Sequence, residues 1–256
     1  MVPSVINCLI IFCLVYRTYA FLAPGITFNT TKTITSDQFK CLINLNVEKF
    51  IGNVYNPDGT FDDTGINNLV NEDIGDYDYG NGVDQIYVTP CLVNCKNGPD
   101  FNGGEQAKAI VNGLKSIFES YFTWINIDRT LSWSADKMKN RQFLTDFINT
   151  FFDLNGFVGI MTSSNSWSSI FGANFTVIDK APFLLWVNWN GKKDLTTGFT
   201  QFGGWMKPNI HEYAGNVISN SCIPGIGVNY LIFDNSNNNF APKKVNNVRS
   251  KFNRRS

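Results

Sequence analysis

Charge is scarce in this chain and histidine nearly absent: only 16% of the 256 residues are Asp, Glu, Lys or Arg, and His211 is the single histidine. Low charge beside 43% hydrophobic and 14% aromatic content excludes wholesale disorder, which goes with few apolar groups and high net charge. One histidine, with no strained nucleophile turn beside it, argues against a Ser-His-Asp hydrolase. No glycine motif for phosphate is present. After the first twenty residues no run is long and apolar enough for a membrane-spanning helix. A basic surplus is missing as well. Of 21 basic residues, Arg17 lies in the leader and six (Lys243, Lys244, Arg249, Lys251, Arg254, Arg255) in the tail, which leaves 14 against 21 acids for the body. An acidic body argues against nucleic acid or an anionic membrane as the general partner.

What is present begins with MVPSVINCLIIFCLVYRTYA, residues 1–20, which read as a secretory signal. The apolar run Val5–Val15 is too short to cross a bilayer, and Thr18-Tyr19-Ala20 supplies small residues for cleavage. The mature chain is therefore expected to start near Phe21, secreted or luminal, and free of the membrane after cleavage. Cys8 and Cys13 leave with the signal. Cys41, Cys91, Cys95 and Cys222 remain, and an even count in an oxidising compartment favours two disulfides. We expect Cys91–Cys95 as a local clip and Cys41–Cys222 tying the two ends together. Cys91 and Cys95 lack a second close Cys or His pair, so zinc is a poor fit, and no metal or cofactor is expected. The acidic stretch Glu72–Asp78 lacks the glycine and closing Glu of a calcium loop and reads as a solvated loop.

Hydrophobic periodicity orders the body. Strands are expected at Ile26–Thr30, Lys49–Tyr55, Gln85–Val88, Tyr121–Ile127, Phe157–Met161, Phe183–Val187, Asn209–Tyr213 and Gly227–Phe233. Helices are expected at Ser36–Leu45, opened by a Ser/Asp cap, and at Asp62–Val70. Two more follow from the faces Ile110, Leu114, Ile117, Phe118 and Leu144, Phe147, Ile148, Phe151, Phe152. The gaps between the last strands carry little helical periodicity. Eight strands with helices interleaved in the first half describe an α/β protein, a TIM-like (β/α) barrel with reduced or missing helices in its second half, over residues 21–234. Residues 235–256, Asn-rich and basic, read as a disordered tail.

In a parallel barrel the C-terminal strand ends carry the chemistry. Asn126 and Asp128, two apart in Trp124-Ile125-Asn126-Ile127-Asp128-Arg129, point to one side of their strand. Asp128 is then a candidate acid; the same spacing fits an Asp that opens a loop and pairs with Arg129. Trp186 and Trp189, with Asn188 between them, offer an aromatic shelf and an amide for a sugar; Trp186, midway in an apolar run, equally fits the core. Two sequons occur, at Asn29 and Asn174; the second is the expected glycosylation site.

Seven segments resemble, in order, the family-25 glycoside hydrolases, in particular the nematode and amoeba branch of secreted lysozymes. They are QFKCL (Gln38–Leu42), VDQIYVTPC (Val83–Cys91), WINID (Trp124–Asp128), GFVGIMTSSNSWSSIFG (Gly156–Gly172), PFLLWVNWNG (Pro182–Gly191), FGGWMKPNIHEYAG (Phe202–Gly215) and CIPGIGVNY (Cys222–Tyr230). The resemblance implies a β/α barrel that cleaves bacterial peptidoglycan after N-acetylmuramic acid. It also implies a ring of carboxylates: an Asp on the first strand, an Asp-x-Glu pair on the fourth, an Asp on the last. The Glu is the general acid, and the Asp beside it steadies the N-acetyl group or the developing charge.

This chain departs at every member of that ring. The matching positions carry Asn29, Asn126, Asp128 and Asn229. Asn keeps the shape of Asp but holds no negative charge against an oxocarbenium-like transition state. Asp128 in place of Glu keeps an acid but withdraws it by about one methylene, and a shift on the order of 1 Å costs ~10²-fold in rate. Tyr87 keeps a family-like type. Glu212 stands in His211-Glu212-Tyr213, where relatives carry Trp-Gln-Tyr or His-Gln-Tyr; pointing inward, it would add a carboxyl that could pair with Asp128. The expectation is a lysozyme-like protein directed at peptidoglycan, in digestion or defence, with weak or lost hydrolysis. The alternative is a glycan-binding or signalling protein without catalysis on the same barrel. Nothing in the sequence fixes an oligomeric state.

Overall fold

The computed structural model describes residues 22–75, 84–118, 121–154 and 156–235. The expected signal, the tail beyond Asn235 and the acidic stretch from Asp76 lie outside the described residues. Eight strands close a barrel in chain order: β1 (Leu22–Phe28), β2 (Lys49–Tyr55), β3 (Asp84–Val88), β4 (Tyr121–Ile127), β5 (Phe157–Thr162), β6 (Phe183–Val187), β7 (Ile210–Ile218) and β8 (Gly227–Asp234). The helices are α1 (Ser36–Asn44), α2 (Asp63–Gly75), α3 (Gly103–Leu114), α4 (Lys137–Asp153) and α5 (Ser164–Phe171). Among the described residues none joins β6 to β7 or β7 to β8, so the second half is helix-poor as expected.

Several details differ from the sequence reading. β1 runs Leu22–Phe28 rather than Ile26–Thr30, so Asn29 lies just past its end. β8 runs antiparallel to both β7 and β1, so the barrel is not wholly parallel. A short β7–β8 connection leaves no helix to carry the chain back, and the strand returns in the opposite sense. α5 is an unexpected helix. Ser163 caps it by accepting from the Ser166 N–H, and Trp167, Ile170 and Phe171 bury its one apolar face, too brief a pattern to show as periodicity. The cap of α1 is Thr35, in a reciprocal capping box with Gln38, and Ser36 is the first helical residue. Ile117 and Phe118 fall in the turn that ends α3, both N–H groups bonding the Leu114 carbonyl.

Alternation along each strand sorts the barrel into an interior and an outer layer. The interior cluster holds Ala23, Ile51, Phe122, Trp124, Leu185, Ile210, Leu231 and Phe233, while the outer faces pack on the helices. Trp124 is fully buried, and its indole N–H donates to Gln85 Oε1 at 2.9 Å, which removes the cost of an unpaired buried donor. Its neighbour across the ladder is Gly159, where a Cβ would stand 2.5 Å from Trp124 Cζ3. The interior series Phe122, Trp124, Asn126 on β4 thus changes from apolar packing to polar groups toward the C-terminal end. That change opens a cavity. The expected disulfides are both formed: Cys41 of α1 bonds Cys222 in the β7–β8 connection, and Cys91 bonds Cys95 after β3.

Candidate functional site

A cavity of about 310 Å³ opens at the C-terminal ends of the parallel strands. Because β8 runs the other way, it presents its first residues there, and Asn229 reaches the mouth from near the start of its strand. Asn29, Tyr87, Asn126, Asp128, Trp189, Glu212 and Asn229 all line it. Every position in the expected ring therefore converges on one pocket, although the elements that carry them lie far apart in sequence.

Trp186 and Asn188 do not join them. They share the outward parity of β6, whereas Val187 and Trp189 face the cavity. Trp186 is buried, its ring stacked on His211 at 4.2 Å, and the Asn188 carbonyl lies 2.8 Å from His211 Nε2. The shelf of two tryptophans expected from the sequence is thus a single one, Trp189. Sequence reasoning also missed Thr27, Ser163, Ser166 and Asn216 in the lining. Asn216 had a signal: it follows Gly215, adopts φ 58°, a conformation Asn tolerates, and its N–H donates to Asn229 Oδ1 at 2.9 Å. Asn174 is exposed, after α5, and Asn29 is exposed at the cavity rim.

The polar groups are held in specific ways. Asn126 Nδ2 donates to Thr89 Oγ1 at 3.2 Å, leaving its carbonyl oxygen to accept from a ligand. Asp128 Oδ1 accepts the Thr130 N–H at 2.8 Å, and its backbone carbonyl accepts Trp133 Nε1 at 3.0 Å. It makes no ion pair with Arg129 among the described residues. Asp128 is therefore a turn-anchored acid with one oxygen to spare. Burial pushes the Tyr87 phenol up, and the nearby carboxyls of Asp62 and Glu212 add to the effect.

Glu212 is the most unusual group. It is 1% exposed, and burial raises its carboxyl from 4.5 to about 7, against the opposing pull of hydrogen bonds from Trp189 and Asn229. Both bonds fall on one oxygen: Trp189 Nε1 donates to Oε1 at 2.7 Å, and Asn229 Nδ2 donates to it at 3.2 Å. Oε2 is buried with no partner among the described residues. Trp189 is 57% exposed at the cavity edge and lies directly on β7 at Gly215, where a Cβ would meet the indole Cε2 at 2.0 Å. The set reads as four amides (Asn29, Asn126, Asn216, Asn229), two acids and one exposed indole, with no Lys or Arg in the lining. Such a surface suits a neutral, hydroxyl- and amide-rich ligand with one apolar face.

Comparison with known proteins places the chain in a family. A family model described as Lysozyme-like protein 1 matches residues 22–213. Lysozyme-like protein 5 of Caenorhabditis elegans is 27% identical over 209 residues, covering 81% of this chain and 90% of that protein. A probable GH family 25 lysozyme of Dictyostelium discoideum, number 4, is 29% identical over 199 residues, covering 77% and 84%. Among solved structures, a family GH25 lysozyme from Aspergillus fumigatus superimposes with a TM-score of 0.57 at 15% identity, covering 83% of this chain and 93% of that one. At that identity the likeness speaks for the fold.

Proposed function

Since this chain belongs to the Lysozyme-like protein 1 family and is a family-25 glycoside-hydrolase-like protein, we propose that it binds the glycan of bacterial peptidoglycan in this cavity and cleaves it weakly or not at all. The observation that carries the reading is the lining itself: amides at Asn29, Asn126 and Asn229 and a shortened acid at Asp128 occupy the places where the resemblance puts four carboxylates. Amides grip sugar hydroxyls and N-acetyl groups as well as carboxylates do, but they neither donate a proton nor stabilise an oxocarbenium ion. Trp189 supplies the apolar face for a pyranose ring, and Asn126 and Asp128 each keep an oxygen free for the polar edge. Two disulfides support secretion, because they persist in oxidising compartments. A secreted peptidoglycan binder has its place in digestion of, or defence against, bacteria.

The test is a pull-down on insoluble peptidoglycan run beside turbidity clearing of a cell-wall suspension. We expect retention on the wall with clearing at least ~10²-fold below that of a family member with a full ring of carboxylates. Any clearing that remains should disappear in Asp128→Asn while retention on the wall persists. Robust clearing by the purified wild type would overturn the reading, and so would failure to bind the wall.

A further inference from the structure

The binding surface just described leaves one motif unused: the sequon Asn29-Thr30-Thr31. It begins one residue past β1, whose last ladder pair with β2 is Phe28 with Gly52, so its backbone is outside the sheet. Thr30 Oγ1 accepts the Lys32 N–H at 3.1 Å, which closes a turn, and Asn29 and Thr31 are both exposed. A sugar on Asn29 therefore has room in the folded chain. The other amides of the lining differ. Asn126 donates to Thr89 and is followed by Ile-Asp; Asn229 donates to Glu212 and is followed by Tyr-Leu; Asn216 is followed by Val-Ile. None of these is a sequon. No hydrogen bond holds the Asn29 amide among the described residues. Asn29 alone combines an acceptor sequence, an exposed and unheld amide, and a place in the cavity wall. An Asp, which the resemblance puts at this position, could accept no sugar.

We propose that Asn29 is an N-glycosylation site and that the sugar it carries is an intramolecular occupant of the cavity mouth, which lowers the affinity of the chain for free glycan. The modification follows from the sequon and its exposure; its effect on affinity rests on the glycan-binding reading and on the secretory route proposed with it. The co-reactant is a lipid-diphosphate-linked oligosaccharide of the secretory lumen. The bond from Asn29 Nδ2 to the sugar C1 forms, the C1–O bond to the diphosphate breaks, Nδ2 gives up one proton, and the lipid diphosphate leaves. Nothing is oxidised or reduced. The linking sugar is an N-acetylhexosamine, neutral and rich in hydroxyl and amide groups, which is the chemistry this lining suits. Held at Asn29, it shares the lining with Thr27, Asn126 and Asn229. A short tether gives an effective concentration on the order of mM, enough for one sugar to compete with a free ligand. Asn174 has no such consequence, because it lies exposed after α5 and outside the lining.

The experiment secretes the wild type and Thr31→Ala from a eukaryotic host whose N-glycans stay mannose-rich. Thr31 is exposed and outside the lining, so Thr31→Ala removes the acceptor sequence and leaves Asn29 and the cavity as they are. Peptide mapping by mass spectrometry reads the sugar on Asn29, and Kd is measured with a soluble glycan fragment released from peptidoglycan. The expected result is a glycan on Asn29 of the wild type, none there in Thr31→Ala, and binding at least about tenfold tighter by Thr31→Ala. Trimming the wild-type glycan to its linking sugar with an endoglycosidase should keep most of that difference, because the linking sugar is the occupant. An unmodified Asn29 in the secreted wild type overturns the proposal. Equal affinities with Asn29 modified, or full recovery of affinity on trimming, overturn occupancy of the mouth. A sugar mapped to Asn29 with no binding by either protein overturns the glycan reading and upholds the modification alone.

Discussion

Glu212→Gln should flatten the dependence of stability on pH, so that the wild type loses roughly 3 kcal/mol relative to the variant between about pH 4 and about pH 8. The sign follows from which state holds the proton. Burial lifts the folded-state value from 4.5 to about 7. In strong acid both the folded and the unfolded chain are protonated at this site, and the two proteins differ only by a constant. As pH rises from the lower value to the upper one, the unfolded wild type releases its proton and the folded form keeps it, so folding weakens. Past the upper value both states are ionised and the loss is complete. Gln is nearly the same size and still offers a carbonyl to Trp189 and Asn229, so the packing is kept while the titration is removed. Denaturant unfolding of both proteins across the range measures the gap directly. Parallel curves would show that Glu212 is not desolvated in the folded protein.

Removal of the Cys41–Cys222 bond is the other large effect. The bridge joins residues 181 apart in sequence, from α1 to the β7–β8 connection, so it restricts most of the unfolded chain. Loop-closure entropy assigns such a link about 5 kcal/mol, against about 2 kcal/mol for the clip between Cys91 and Cys95, whose ends are 4 apart. Cys41→Ser with Cys222→Ser should therefore fall well below Cys91→Ser with Cys95→Ser in melting temperature, and is expected to approach the limit of folding at 37 °C. The clip is local and already supported by the Cys91 N–H bond to Gln106 Oε1 at 3.0 Å. Equal losses in the two double variants would refute the entropic account. Among the described residues α1 is tied to that connection by one further side-chain hydrogen bond, Gln38 Nε2 donating to the Cys222 carbonyl at 3.0 Å.

In the cavity wall an acid and an amide are paired. By the resemblance, the last strand carries an acid and β7 a glutamine; here the amide is Asn229 and the acid is Glu212. The two meet at 3.2 Å, Nδ2 to Oε1. An aspartate at 229 would set two carboxyls at that separation, where both cannot ionise, so the acid on β7 and the amide on β8 are mutually required. Glu212 is too buried to reach a glycosidic oxygen. Of the two acids in the lining, that leaves Asp128 as the one with an oxygen to offer.

Much of this was legible in the residues themselves. Short apolar runs located β2, β4 and β6 to the residue, because such a run is a local property of the chain. Cysteine count and spacing gave both bridges, and the two-residue step from Asn126 to Asp128 put both on one side of β4. Local pattern also misled: Trp186, Asn188 and Trp189 look alike in a row, and only their parity against a closed barrel divides them into outer layer and cavity. The direction of β8, the short α5 and the reach of Asn216 all depend on how the chain returns, which no window of sequence contains. The environment of Glu212 is the clearest case. Its neighbours Trp189 and Asn229 come from separate elements, and its burial is the sum of what the barrel packs around it. The sequence determined which groups could face inward; the closed barrel decided which of them lost water, and desolvation is what separates a surface glutamate from one whose carboxyl is pushed up to about 7.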